Sequence, residues 1–187
     1  MDFIHPLANE YAAQYSNATP PYLKEVYEST LAAHPHAYMQ SSWTQGGFLS
    51  LISKLLQPKY ILELGTFSGF SAMCLAEGLV NEGQLHTLEL REPDGINAQN
   101  NINQSPHKDK IKIHVGDAIE TLQHLTAPWD IVFIDADKVN YGKYYQMIFP
   151  FVKKNGLIIA DNVLFHGEVF NETLKGKNAK AIHAFNE

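Results

Sequence analysis

Two short apolar runs, DIVFIDADK at 130–138 and GLIIADN at 156–162, end in groups able to do chemistry. Asp135 and Asp137 leave the first run at its C-terminal end, and Asp161 and Asn162 leave the second. Apolar runs of this length bounded by polar residues read as strands covered on both faces, as in a parallel sheet under helices. Ligands of open α/β sheets sit outside those carboxyl ends. Two carboxylates and an amide oxygen brought together there make a hard, all-oxygen site suited to Mg²⁺, Mn²⁺ or Ca²⁺. Lys138, three residues after Asp135, adds an amine able to act as a base. Asp137 reads as a loop or cap residue.

A second set of groups lies upstream. ILELGTFSGFS at 61–71 carries an acid, Glu63, at the end of a strand and glycines 65 and 69 in the turn to a helix. Glycine lets backbone approach a ligand closely, and a helix N-terminus favours an anionic group. The E-x-G-x-x-x-G spacing departs from the G-x-G-x-x-G of dinucleotide sites, which speaks against a nicotinamide-dependent dehydrogenase. Glu89 closes the next strand candidate, QLHTLEL, where an acid in this fold class accepts hydrogen bonds from ribose hydroxyls. Asp117 and Ala118 follow a third strand and are placed to frame an adenine. An adenosine ligand with a cationic group suits this acidic setting better than a pyrophosphate. S-adenosylmethionine is such a ligand.

The elements that must position these residues follow from periodicity. Ala8, Tyr11, Ala12 and Tyr15 mark one helix, Thr19-Pro20 offers a cap and first-turn proline for a second, and Phe48, Leu51, Ile52 and Leu55 mark a third that ends before Pro58. From Tyr60 onward YILEL, QLHTLEL, KIKIHV, WDIVFIDA and GLIIAD alternate with helical patterns. Ala72, Leu75, Ala76 and Leu79 mark the first of these, Ile96 and Ile102 a weaker one after Pro93, then come Ala118, Leu122 and Leu125, and last Tyr141, Tyr144, Tyr145 and Ile148. Such alternation implies right-handed crossovers and an α/β doubly wound, mostly parallel sheet preceded by N-terminal helices. One domain over 1–187 is expected, with 1–58 as helical cover and 59–187 as the α/β core. Only 25 residues follow Asn162, and no strand candidate lies among them. The apolar edge of GLIIAD is therefore expected either to be paired or to continue into further chain.

Composition narrows the function classes. A net charge of −6 argues against a protein that mainly neutralises phosphates. The clusters Lys108, Lys110, Lys112 and Lys175, Lys177, Lys180 read as solvated faces. The single cysteine, Cys74, reads as packing, and the N-terminal stretch has neither a basic segment nor a long apolar run, so a soluble cytoplasmic protein is expected. His34 and His36 read as a surface loop, and His114 as packed or solvated. His166 is a candidate for contact with an acceptor, and Trp43 and Phe165 either stack on an aromatic acceptor or belong to the core.

Met39 and Ser41, ILELGTFSGFS, LEL, GDA, FIDADKVNY and ADNVLFHG, in this order from about residue 36 to residue 168, resemble the cation-dependent O-methyltransferases of the catechol and caffeoyl-CoA type. DADK-x-NY followed by DN is the specific part. The resemblance implies a Rossmann-like class I methyltransferase fold with metal ligands Asp135, Asp161 and Asn162, Mg²⁺ foremost, and Lys138 as catalytic base. It further implies cofactor contacts at Met39, Ser41, Glu63, Gly65, Ser71, Glu89, Ala118 and Asp135, beside the Asp117 read above. Phe165 stands where relatives often carry Trp, and the family's last two strands have no counterpart here. The expected partners are a small aromatic vicinal diol and a second copy in a homodimer. A hydroxyl on a modified tRNA base is the alternative acceptor, and a non-catalytic cofactor-binding fragment the alternative class.

Overall fold

The computed structural model describes residues 5–16 and 20–187. Helices α1 (Pro6–Gln14), α2 (Pro21–Ala33) and α3 (Trp43–Leu56) precede the sheet. Strands β1 (Tyr60–Leu64), β2 (Gln84–Glu89), β3 (Ile111–Val115), β4 (Trp129–Ile134) and β5 (Val152–Ala160) pair in the order β3-β2-β1-β4-β5, all parallel. Helices α4 (Phe70–Ala76), α5 (Glu92–Ile102), α6 (Ala118–Leu122) and α7 (Tyr141–Ile148) connect them, and α8 (Lys177–Asn186) follows β5. The chain turns from β1 toward β2 and β3, then returns past β1 to β4 and β5. That reversal opens a crevice at the carboxyl ends of β1 and β4.

Period-two alternation builds both faces of the sheet. Ile61, Leu85, Ile131 and Phe133 are buried with Leu23 and Val26 of α2, Leu49 of α3 and Phe70 and Met73 of α4. Leu62, Leu64, Leu88, Val132 and Ile134 are buried on the other face with Tyr141, Tyr144 and Ile148 of α7 and Ile182 of α8. Each side chain of this size contributes about 1.5–3 kcal/mol when withdrawn from water. Cys74 is buried and unpaired, as its apolar setting predicts.

Several local expectations are corrected. In α3, Phe48, Leu51 and Leu55 are 53%, 54% and 70% exposed, whereas Gly46, Leu49 and Ser53 face inward. Close approach decides this, since a Cβ on Gly46 would stand 2.5 Å from the Phe70 ring. Ser53 Oγ donates to the Leu75 carbonyl at 2.5 Å. The small-residue face of α3 seats on α4 and the bulky one turns outward. Tyr11 and Tyr15 are likewise exposed. Thr19, the expected cap of α2, lies outside the described residues; Pro20 occupies the N-cap and Pro21 the first turn. In α5, Asp94, Gly95, Ala98 and Ile102 are buried and Ile96 is exposed. Strand β5 starts at Val152, ahead of GLIIAD, and its last four residues are only half-buried because β5 is an outer strand. Helix α8 goes beyond the helices expected from periodicity; Ala179 and Ile182 anchor it, and Phe185 meets Tyr141 edge-on at 5.5 Å. Among the described residues no helix is long and apolar enough to cross a membrane.

Candidate active site

The hydrogen-bond ladder runs one residue past the strand ends and aligns the acids. Gly65 N donates to Leu88 O at 3.0 Å, Asp135 N to Leu64 O at 2.8 Å and Asp161 N to Ile134 O at 2.9 Å. Gly65 has φ +98°, and a Cβ there would lie 2.0 Å from the Asp135 carbonyl. Only glycine allows the β1 turn to pass this close to β4. The two ends of the crevice, Glu63 with Glu89 and Asp135 with Asp161, are thereby parts of one surface.

Glu63 is fully buried on the α4 side of β1, opposite Thr87. Its Oε2 accepts from Thr87 Oγ1 at 2.5 Å, and the Thr66 and Thr87 hydroxyls are 2.6 Å apart. Oε1 has no hydrogen-bond partner among the described residues. Burial pushes the Glu63 carboxyl up to about 8, with the Ser71 and Thr87 hydroxyls working against it. A buried acceptor without a partner is costly unless a ligand meets it. An orphaned buried carboxylate oxygen two residues before Gly65 suits a cationic ligand, so the residues present fit the expected cofactor. Glu89 is held by backbone: its Oε2 accepts from Phe67 N at 2.8 Å and its Oε1 from Arg91 N at 2.9 Å. Ser41 is buried and Met39 partly exposed on the segment between α2 and α3. Asp117 caps α6, its Oδ1 accepting from Ile119 N at 2.7 Å, and Ala118 is the first residue of that helix.

At the other end, burial raises the Asp135 carboxyl above its ordinary range; Lys138 opposes that and the neighbouring Asp161 adds to it. Lys138 Nζ donates to Asp135 Oδ1 at 3.0 Å and to Tyr141 Oη at 2.5 Å. Tyr141 is fully buried, and its hydroxyl reaches the Ile134 and Asp161 carbonyls at 3.0 and 3.1 Å. It locks the Lys138 amine beside Asp135. Asn162, exposed and left-handed at φ 58°, follows Asp161. Among the described residues no three His, Cys, Asp or Glu side chains group as a metal site. Asp135 and Asp161 stand instead as neighbouring carboxyl groups with Asn162 next in the chain, a set whose hardness would fit a small divalent cation.

A family model described as O-methyltransferase matches residues 13–187. The chain belongs to that family. Relatives of this O-methyltransferase-family chain include a catechol O-methyltransferase of Niastella koreensis, 38% identical over 76% of this chain and 66% of that protein. A caffeoyl-CoA O-methyltransferase of Eucalyptus globulus is 33% identical over 80% of this chain and 63% of its own length. The chain spans 59–66% of the length of the most similar curated relatives. Among solved structures, an O-methyltransferase from Bacillus cereus in complex with SAH superimposes with TM-score 0.89 and 32% identity, covering 96% of this chain and 83% of the other.

Other sequence-level candidates fall differently. Asp137 precedes the turn at Lys138–Asn140 and holds Asn140 Nδ2 at 2.7 Å and the Tyr144 hydroxyl, a loop role as expected. Trp43 lies between Tyr27, at 5.1 Å, and Phe70, at 6.1 Å, so it belongs to the packing of α2, α3 and α4. Phe165 is half-buried against the α7–α8 core, and His166 is exposed beside it. His114 stacks on His86, with ring nitrogens 2.9 Å apart. His34 corrects the surface-loop expectation, because its side chain is 19% exposed and pairs with buried Asp94 at 3.3 Å. Thr87, Arg91 and Asp94 shape the site without any local sequence signal, whereas Tyr141, three residues after Lys138, carries one.

Proposed function

We propose that this protein transfers the methyl group of S-adenosylmethionine to a hydroxyl of a catechol-like aromatic acceptor, assisted by a divalent cation. The observation that carries this reading is the continuity of the Glu63–Glu89 end with the Asp135–Asp161–Lys138 end across Gly65. The names of the relatives support the acceptor class. Glu63 Oε1 would meet the cofactor's ammonium, and Glu89 its ribose hydroxyls. Asp135, Asp161 and Asn162 would hold the cation, Mg²⁺ foremost, which when bound supplies Lewis-acid polarisation of a phenolic oxygen. Lys138 Nζ receives the acceptor's proton, and Tyr141 and Asp135 fix where that nitrogen stands. The rest of the rate gain comes from holding the reacting atoms in line. Mass spectrometry of catechol, caffeate and tRNA after incubation with S-adenosylmethionine and Mg²⁺ tests the reading. A methylated catechol or caffeate supports it, a product on tRNA alone replaces the acceptor, and no product despite cofactor binding contradicts methyl transfer.

A proton linkage follows from Glu63. Its folded-state pKa is raised to about 8, so the carboxyl is largely neutral near neutrality in the free protein. The stability this group contributes is fully present below the ordinary carboxylate range and is lost as pH rises through about 8. An ammonium set against Oε1 favours the carboxylate, so SAH binding at about pH 7 should release roughly one proton. Calorimetry in buffers of different ionisation enthalpy reads the release, and Glu63→Gln should remove it. Heats independent of the buffer would exclude this role for Glu63.

A further inference from the structure

The segment between α2 and α3 crosses the cofactor end of the crevice as a strap with separate fastenings. At its start the His34 ring meets Phe67 edge-on at 4.7 Å, and Phe67 N is the donor that holds Glu89. His34 Nε2 also lies 3.3 Å from Asp94 Oδ1. Further along, Met39 Sδ is 3.8 Å from Arg91 Nη2, whose own ion pair with Asp94 Oδ2 spans 2.6 Å. At its end Gln40 Oε1 accepts from Ser68 Oγ at 2.6 Å, a tie to the glycine turn itself. Asp94 is 7% exposed and belongs to α5, outside every motif used above. Among the described residues it is the one group joined to the strap twice, directly through His34 and through the guanidinium that reaches Met39. The same guanidinium stands 3.9 Å from Glu89 Oε1, so it also separates two buried carboxylates.

Resting on the functional reading above, we propose that Asp94 is a positioning residue for the cofactor: with His34 and Arg91 it fastens the strap over the ribose end of the site and sets how slowly SAH leaves. His34 cannot lift from Phe67, whose N–H holds Glu89, without leaving Asp94 as well. Asp94 touches neither cofactor nor acceptor in this scheme. Its effect falls on residence time and on KM for S-adenosylmethionine, not on the methyl-transfer step.

Dissociation of radiolabelled SAH from the full chain, chased with unlabelled SAH, tests the proposal. His34→Phe should speed release about ten-fold, the effect of losing one ion-pair contact, and Asp94→Asn, which takes the charge from both pairs, at least as much. His34→Phe keeps the ring against Phe67 and loses only the tie to Asp94. His34→Gln offers an amide nitrogen in place of Nε2 and should stay within about two-fold of the wild type. The KM for S-adenosylmethionine should rise with the release rate while kcat holds, a split that a general loss of stability would not produce. Wild-type release from His34→Phe and Asp94→Asn proteins that melt at the wild-type temperature would overturn the proposal. Should Asp94→Asn fail to fold, His34→Phe and His34→Gln decide it. No SAH binding by the wild type would instead refute the functional reading beneath it.

Discussion

Asp161→Ala should lower methyl transfer on the order of 10³-fold or more while SAH affinity stays within a few-fold. The two effects separate because Asp161 follows β5, at the far side of Asp135 from Glu63 and Glu89. The fold should survive the change. Asp161 contributes backbone to the ladder through its N–H to Ile134 O, which alanine keeps. Its carboxylate adds to the raised pKa of Asp135, so removing it relieves a like-charge contact. The melting temperature of the free protein is therefore expected to be unchanged or higher. Steady-state kinetics with SAH calorimetry and a thermal melt check all three. A variant equally impaired in SAH binding would mean that Asp161 belongs to the cofactor site.

Lys138→Met should cost about 10²–10⁴-fold in kcat, the usual contribution of a positioned acid or base. Lys138→Arg sharpens the test. Arginine keeps a positive charge beside Asp135 but cannot give up its proton to serve as a base. Both variants should be comparably inactive if Nζ receives the acceptor's proton. An active Lys138→Arg would show that the charge opposite Asp135 matters and the base does not. Neither change should unfold the protein, because Tyr141 still reaches the Ile134 and Asp161 carbonyls without its lysine donor. Single-turnover measurements are the suitable readout, since they exclude product release from the rate.

The parts of this site visible in the sequence are those that lie beside strand ends. Apolar runs ending in Glu63, Glu89, Asp135 and Asp161, separated by helical stretches, point to a parallel sheet and put their acids at its carboxyl end. Helix faces were less legible. The apolar stripe Phe48–Leu51–Leu55 looks like a core face by period alone, yet Gly46 and Ser53 on the opposite side allow α3 to approach α4 closely. Small residues at a contact carry a signal that hydrophobicity does not record. Groups brought from distant segments were invisible for a different reason. His34 and Asp94 are 60 residues apart, and their pairing depends on how the strap crosses the sheet, which no local pattern encodes. Tyr22, Lys54, Glu77 and His107 form a similar cluster where α2 and α3 meet the end of α4. The His107 contact is the main cause that lowers the Glu77 carboxyl to about 2, against the effect of burial.

Methyl transfer to catechol measured before and after addition of EDTA, with Mg²⁺ then restored in excess, tests the central claim most directly. Turnover should disappear with the chelator and return with the metal, while calorimetric affinity for SAH is the same in both conditions. Turnover undiminished by EDTA would contradict a cation held by Asp135, Asp161 and Asn162.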